Sequence, residues 1–362
     1  MIYFLVNNNY HYIDTLKHCK ELQNNEKALI QIPHTLTEIK ESKHFKDIYT
    51  FYTPFKKLKN YFNIFKVKKI ERKLTALLKI NKKDILFVYT EYEILNQYIM
   101  NKFRKSGAKV YIIEDGGFPT YLTYSVKNDK NLPLKKLIKL LYLKYILGYK
   151  YVEFLYYNNI VFPQINEKFI DGVLLYLDVP VLRKIKKHII QSEQKELSLD
   201  KSKAIYLNEK LYEHYCTKEE YKTILNHVLS NLSRNFKEVY FKFHPRESED
   251  NRVWQLAIMN KYKNITLIDN SEPIENLLET YNAKYVFSYL SAALLNLKRI
   301  GATPIYLFHL YQELNVNPVF IRMQEILINL DYKFINDFDT IDDNLDFGQN
   351  ENKIDIKSLI HE

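Results

Sequence analysis

Short apolar runs alternate with longer amphipathic ones along most of the chain, and the series occurs twice. In the first half, Ile2 to Val6, Lys27 to Ile32, Asp84 to Tyr89 and Lys109 to Ile113 are near-continuous apolar stretches of strand length, as expected of strands covered on both faces. Helical spacing fits Tyr12 to Leu22 and Ile94 to Lys105 between them. In the second half, strands are predicted at Lys203 to Leu207, Val239 to Phe243, Ile265 to Ile268, Lys284 to Phe287 and Pro304 to Phe308. Helices are predicted over Lys218 to Ser233, Val253 to Lys261, Pro273 to Tyr281 and Leu290 to Arg299. Strands alternating with helices imply parallel α/β sheets. The pattern therefore predicts an N-terminal Rossmann-like domain over 1–170 and a C-terminal one over 203–362, facing a central cleft. The charged, aperiodic stretch 171–202 is expected to connect them.

Length agrees with this division, because 362 residues suit two cores better than one. With 46% hydrophobic and 27% charged residues, the composition is that of a globular chain and argues against disorder. Cys19 and Cys216 are the only cysteines, with no Cys/His cluster at zinc-ligand spacing, so neither a disulfide framework nor a structural metal is expected, and a reducing compartment fits. Met1 to Val6 lacks the basic leader and long apolar core of a signal peptide, and no apolar stretch approaches bilayer-spanning length. Neither G-x-G-x-x-G nor a P-loop motif is present, which turns the reading away from dinucleotide oxidoreductases and P-loop NTPases.

Ligands of doubly wound sheets bind at the carboxyl ends of the strands, so polar residues just past predicted strands are the candidates for chemistry. The first cluster is Glu114-Asp115-Gly116-Gly117, after KVYII. Two adjacent carboxylates can provide a general base, the charge of one raising the pKa of the other. Alone, such a motif is as easily a turn with a helix cap. The second cluster is His244-Pro245-Arg246, after VYFKF, where Lys242 and Arg246 add positive charge suited to a phosphate. The third runs from Ser288 to Ala292, SYLSA, at the start of a predicted helix, where hydroxyls and unsatisfied amides can hold an anion. A fourth, weaker feature is Pro273-Ile274-Glu275, where Pro opens a helix and Glu275 could accept bonds from a ribose.

The acid-acid-Gly, His-Pro and Ser motifs, in this order and each after a strand, resemble the bacterial sialyltransferases and polysialyltransferases of the GT-B fold. That resemblance implies an inverting transfer of a sialic acid from CMP-sialic acid to a surface glycan, lipooligosaccharide or capsule. It implies Glu114, ahead of Asp115, as general base, and His244 as general acid at the CMP phosphate. Ser291, Lys242 and Pro245 would lie around that phosphate, and Glu275 on the ribose. The motif's second Ser/Thr is replaced by Ala292, which leaves Ser288 as a possible substitute. A cationic His with helix amides can stabilise a departing monophosphate, so no metal and no cofactor beyond the CMP-sugar is expected.

The formal net charge of +10 concentrates in two basic-aromatic segments, Phe55 to Lys73 and Leu134 to Lys150. Spaced as a helix, the second mixes Lys135, Lys136, Lys139, Lys144 and Lys150 with Leu, Ile and Tyr, which suits an anionic membrane face as well as it suits a buried helix with a solvated Lys edge. A cytoplasmic enzyme at the inner face of the membrane is the expectation. Three rivals remain: a transferase for another CMP-nonulosonate of legionaminic, pseudaminic or Kdo type, an inactive nucleotide-sugar binder, and a basic nucleic-acid-binding protein. The last lacks any recognisable nucleic-acid module.

Overall fold

The computed structural model describes residues 1–34, 36–56, 63–115, 118–129, 132–190, 197–213, 215–269, 272–311, 318–330, 332–335 and 338. They fall into two compact units, and the chain passes from one to the other between residues 190 and 197.

The first unit is built on β1 (Ile2–Val6), β2 (Lys27–Gln31), β3 (Asp47–Thr50), β4 (Ile85–Val88), β5 (Lys109–Ile113), β8 (Gly172–Leu175) and β9 (Lys187–Ile189). These pair in the order β3-β2-β1-β4-β5-β8-β9, every ladder parallel. Every residue of β1, β2, β4 and β8 is buried, as their apolar runs require, and Phe4, Leu29, Phe87, Ile113 and Leu174 form one continuous apolar cluster. The helix Asn9–Glu21 starts directly after β1, where the Asn8 side chain accepts from the His11 amide as an N-cap. The helix Ile94–Lys105 spans the expected residues. Between β5 and β8 an antiparallel hairpin pairs β6 (Val152–Tyr157) with β7 (Ile160–Ile165). Asn158 and Asn159 turn it with φ of 44° and 64°, the left-handed pair of a two-residue hairpin turn.

The second unit holds β10 (Asp200–Leu207), β11 (Glu238–Lys242), β12 (Ile265–Leu267), β13 (Ala283–Ser288), β14 (Thr303–Tyr306) and β15 (Lys333–Phe334). Their order is β12-β11-β10-β13-β14-β15, again all parallel. Counted within the unit this is third-second-first-fourth-fifth-sixth, the strand order of the dinucleotide-binding doubly wound fold. The helix Lys218–Asn235 opens with a reciprocal capping box between Thr217 and Glu220.

One expected boundary moves. The stretch 171–202 is not a simple connection, because β8 and β9 lie in it and extend the first sheet, while β10 already begins at Asp200. Its lysines hid the strands: Lys187 of β9 is exposed and its ammonium pairs with Asp178, so the edge strand lacks an unbroken apolar run. The strand order reverses between β1 and β4 in the first sheet and between β10 and β13 in the second. The carboxyl ends around these points are where a ligand is expected.

Candidate functional site

In the first unit, Glu114 and Asp115 follow β5 as expected, but their side chains part company. Glu114 is 1% exposed; its backbone amide donates to the Leu174 carbonyl (2.9 Å), and its carboxylate accepts from the Tyr176 amide (2.7 Å). It thus carries the β5–β8 pairing one step past the sheet edge. The Tyr176 hydroxyl in turn donates to Asp14 Oδ2 (2.8 Å), which also accepts from the Tyr89 hydroxyl (3.1 Å) and lies 3.3 Å from His18 Nε2. Burial pulls the His18 pKa down, but the Asp14 and Glu21 carboxylates override it and raise it to about 9. Asp115 is partly exposed, and its Oδ1 accepts from the Thr120 hydroxyl (2.6 Å) in the helix Phe118–Ser125. Of the two acids, Asp115 is the accessible one. Gly116 and Gly117 of the motif lie outside the described residues.

In the second unit, Lys242 ends β11, and His244-Pro245 open the turn that follows it. Together with Phe243, Arg252, Ile268 and Asp269 they line a cavity of about 210 Å³. His244 Nδ1 accepts from the Arg246 amide (3.2 Å), so in the neutral ring the proton sits on Nε2. Burial, then the cations Arg246 and Lys210, hold the His244 pKa below its usual value. Lys242 is also lowered by burial, against the nearby carboxylates of Glu272, Asp269 and Glu275. The turn is fixed from beneath: buried Glu247 accepts from the Tyr212 hydroxyl (2.5 Å) and from Gln255 Nε2 (3.0 Å), while Gln255 Oε1 accepts from Asn208 just past β10 (2.8 Å). The His-Pro turn therefore stands on a satisfied buried network that limits its freedom.

The remaining candidates are not among the residues that line that cavity. Glu275 accepts from Asn296 Nδ2 (2.9 Å), which ties it to the helix Ala293–Arg299. Ser291 is partly buried, and its Oγ accepts from the Ala293 amide (3.3 Å) at the start of the same helix. Ser288 does not suit the substitute role expected for it. It is fully buried at the end of β13 and donates its hydroxyl to the Leu207 carbonyl (2.8 Å), stitching β13 to β10.

Glu209 was overlooked in the sequence although it obeys the same rule, standing two residues past β10 at the point where the strand order reverses. Its carboxylate accepts from the Leu290 amide (2.7 Å), in the loop between β13 and Ser291. Burial raises its pKa to about 7, against the opposing pull of that amide. The polar pair Asn208-Glu209 after the apolar run AIYL was the available signal. Among the described residues, no group of three or more His, Cys, Asp or Glu could hold a metal ion.

Two parallel, doubly wound units with polar clusters at the carboxyl ends of their strands have the architecture of the GT-B glycosyltransferases. The chain belongs to the alpha-2,8-polysialyltransferase family, whose model matches residues 3–308. It is thus a sialyltransferase-type glycosyltransferase, with a sugar donor and a glycan acceptor as its substrates. No curated protein matches the sequence. Among solved structures it is similar to UDP-GlcNAc 2-epimerase from Methanocaldococcus jannaschii, with 12% identity, 92% of this chain and 94% of that chain covered, and a TM-score of 0.49. It is also similar to a glycosyltransferase from Rickettsia africae, with 10% identity, coverage of 84% and 78%, and a TM-score of 0.42. A UDP-glucosyltransferase from Polygonum tinctorium shows the same identity, coverages and TM-score.

Proposed function

We propose that the protein transfers a sialic acid from CMP-sialic acid to a surface glycan by a single inverting displacement that uses no metal. The observation that carries this is His244 lining a cavity beside Lys242 at the carboxyl end of a doubly wound sheet, in a chain of the polysialyltransferase family. Asp115, rather than Glu114, is the general base. A base must reach the acceptor hydroxyl, and Glu114 is buried with its carboxylate on the Tyr176 amide. Asp115 takes the hydroxyl proton as the acceptor oxygen bonds to the anomeric carbon, and the bond from that carbon to the phosphate oxygen breaks to release CMP. His244 Nε2–H donates to the departing phosphate. The low pKa keeps the resting ring neutral, and a bound phosphate anion shifts it toward the protonated form that completes general acid catalysis. Lys242 and Ser291 contribute to phosphate binding, and Glu275 to the ribose. Glu209 orients the loop that presents Ser291. Transfer of labelled sialic acid to a sialyllactose or lactose acceptor tests this: Asp115→Asn slows transfer by about 100-fold or more on this mechanism, and full activity in that variant removes the assignment.

The basic segment supports a membrane contact. Leu134, Leu137, Ile138, Leu141 and Tyr145 recur at helical spacing over Leu134–Leu141 and Tyr142–Ile146, and are exposed by 70%, 39%, 54%, 44% and 74%. Leu143, on the other side, is fully buried and fastens the segment to the protein. An apolar stripe turned outward and flanked by Lys135 and Lys136 suits an anionic lipid surface. Among the described residues, no helix is long and apolar enough to cross a membrane.

A further inference from the structure

The first unit contains a cavity of about 580 Å³, larger than the one beside His244. Thr123, Lys127, Lys144, Phe154, Gln164 and Arg183 are among the residues that line it. Thr123 places it relative to the chemistry. It lies one helical turn beyond Thr120, which holds Asp115, and its hydroxyl donates to the Thr120 carbonyl (3.0 Å). Gln164, on β7, is 7% exposed, and its Nε2 has no hydrogen-bond partner among the described residues. A buried amide donor left unpaired is costly and rare, and its presence on a cavity wall marks the place of a ligand acceptor.

Charge narrows the ligand. Arg183 is committed to the Glu91 carboxylate and to the Ile165 carbonyl (2.6 Å), Glu153 accepts from Asn166 Nδ2 (2.5 Å), and Glu167 accepts from the Lys184 amide (2.9 Å). Among the described residues, Lys127 and Lys144 form no ion pair. Two uncommitted ammonium groups, an amide donor and the apolar walls of Phe154 and Leu155 suit a saccharide that carries a carboxylate: cations for the acid, the amide for a hydroxyl or carbonyl, and carbon walls for the C–H faces of the rings.

We propose that this cavity is the acceptor site, with Lys127 and Lys144 pairing with the carboxylate of an acidic glycan and Gln164 Nε2 donating to its hydroxyl or carbonyl oxygen. It rests on the transferase function proposed above, with Asp115 as the base that the bound acceptor must approach. Gln164→Leu tests it directly, since it removes the amide with little change of volume. A merely structural Gln164 makes this variant as stable as the parent or more so, and leaves acceptor binding intact.

The measurement is the affinity of the full chain for sialyllactose and for lactose, by calorimetry or saturation-transfer NMR, with melting curves of each variant. On the proposal, wild type prefers sialyllactose, and Gln164→Leu and the pair Lys127→Ala/Lys144→Ala each weaken it by about tenfold or more while still folding. Equal affinity in all folded variants, or no preference for the acidic sugar in wild type, overturns it. Release of CMP by wild type without acceptor reports separately on the donor reaction: binding of sialyllactose that responds to these variants, with no CMP release, leaves this site standing and removes the donor assignment.

Discussion

Replacing Glu209 by Gln removes a charge from the reversal point of the second sheet while keeping a side-chain oxygen for the Leu290 amide. The carboxyl pKa is raised from 4.5 to about 7 by burial, so the folded chain holds this proton more tightly than the unfolded chain does. A raised pKa gives stability that is complete below the unfolded value and is lost as the pH climbs through the folded one. At about 1.4 kcal/mol per pKa unit, wild type at pH 8 carries a penalty of at most about 3.5 kcal/mol, reduced to the extent that the partly exposed carboxylate is solvated. Gln does not carry it. For a domain of this size, about 2–4 °C accompanies each kcal/mol, so the melting temperature of the variant exceeds that of wild type by several degrees at pH 8, and the difference falls to about a quarter of that at pH 5. Calorimetry or dye-monitored melting across pH 5 to 8.5 reads this directly. A difference that does not vary with pH, or a variant less stable than wild type at pH 8, refutes the reasoning. In activity the same variant raises KM for the donor more than it lowers kcat, because Glu209 orients the loop that carries Ser291.

Three further outcomes follow from the geometry. Asp115→Asn lowers kcat by about 100-fold to 10,000-fold, whereas Glu114→Gln, which keeps an acceptor for the Tyr176 amide, lowers it by less than about tenfold; steady-state kinetics of the two variants decides between the acids. The His244 imidazole titrates below its usual value of 6.5 in the free protein and moves upward when CMP binds, which NMR of labelled histidine follows; an unchanged titration on adding CMP removes His244 from the phosphate. Leu137→Asp with Ile138→Asp abolishes sedimentation with vesicles containing phosphatidylserine and leaves folding intact, because both residues are already exposed; co-sedimentation that persists in that variant shows that another surface holds the membrane.

Much of the fold was legible because parallel strands covered on both faces are near-continuous apolar runs. IYFLV, KALIQ and ILFV could hardly be anything else, and the second sheet followed the same rule up to β14. What escaped notice carried mixed signals. Edge strands such as β9 lack that apolar run, and β8 was lost in the same charged neighbourhood although its own GVLL is apolar. The hairpin of β6 and β7 was announced by Asn158-Asn159 between alternating aromatic and aliphatic residues, a turn signal that went unread. Strand ends were legible enough to place Asp115 just past β5 and His244 just past β11. Spacing alone says nothing of which adjacent acid turns inward, since successive residues point to opposite sides and packing decides which side is buried. Ser288 shows the same limit, a hydroxyl in a promising place that tertiary contacts had already engaged.

The central claim is most directly tested by measuring CMP release from CMP-N-acetylneuraminic acid by the purified protein, with EDTA present, with and without a sialyllactose acceptor, for wild type and His244→Ala. The account predicts release that the acceptor stimulates, that survives EDTA and that collapses in the variant by about 100-fold or more. No release and no CMP binding by a folded wild-type protein, or full activity in His244→Ala, contradicts it.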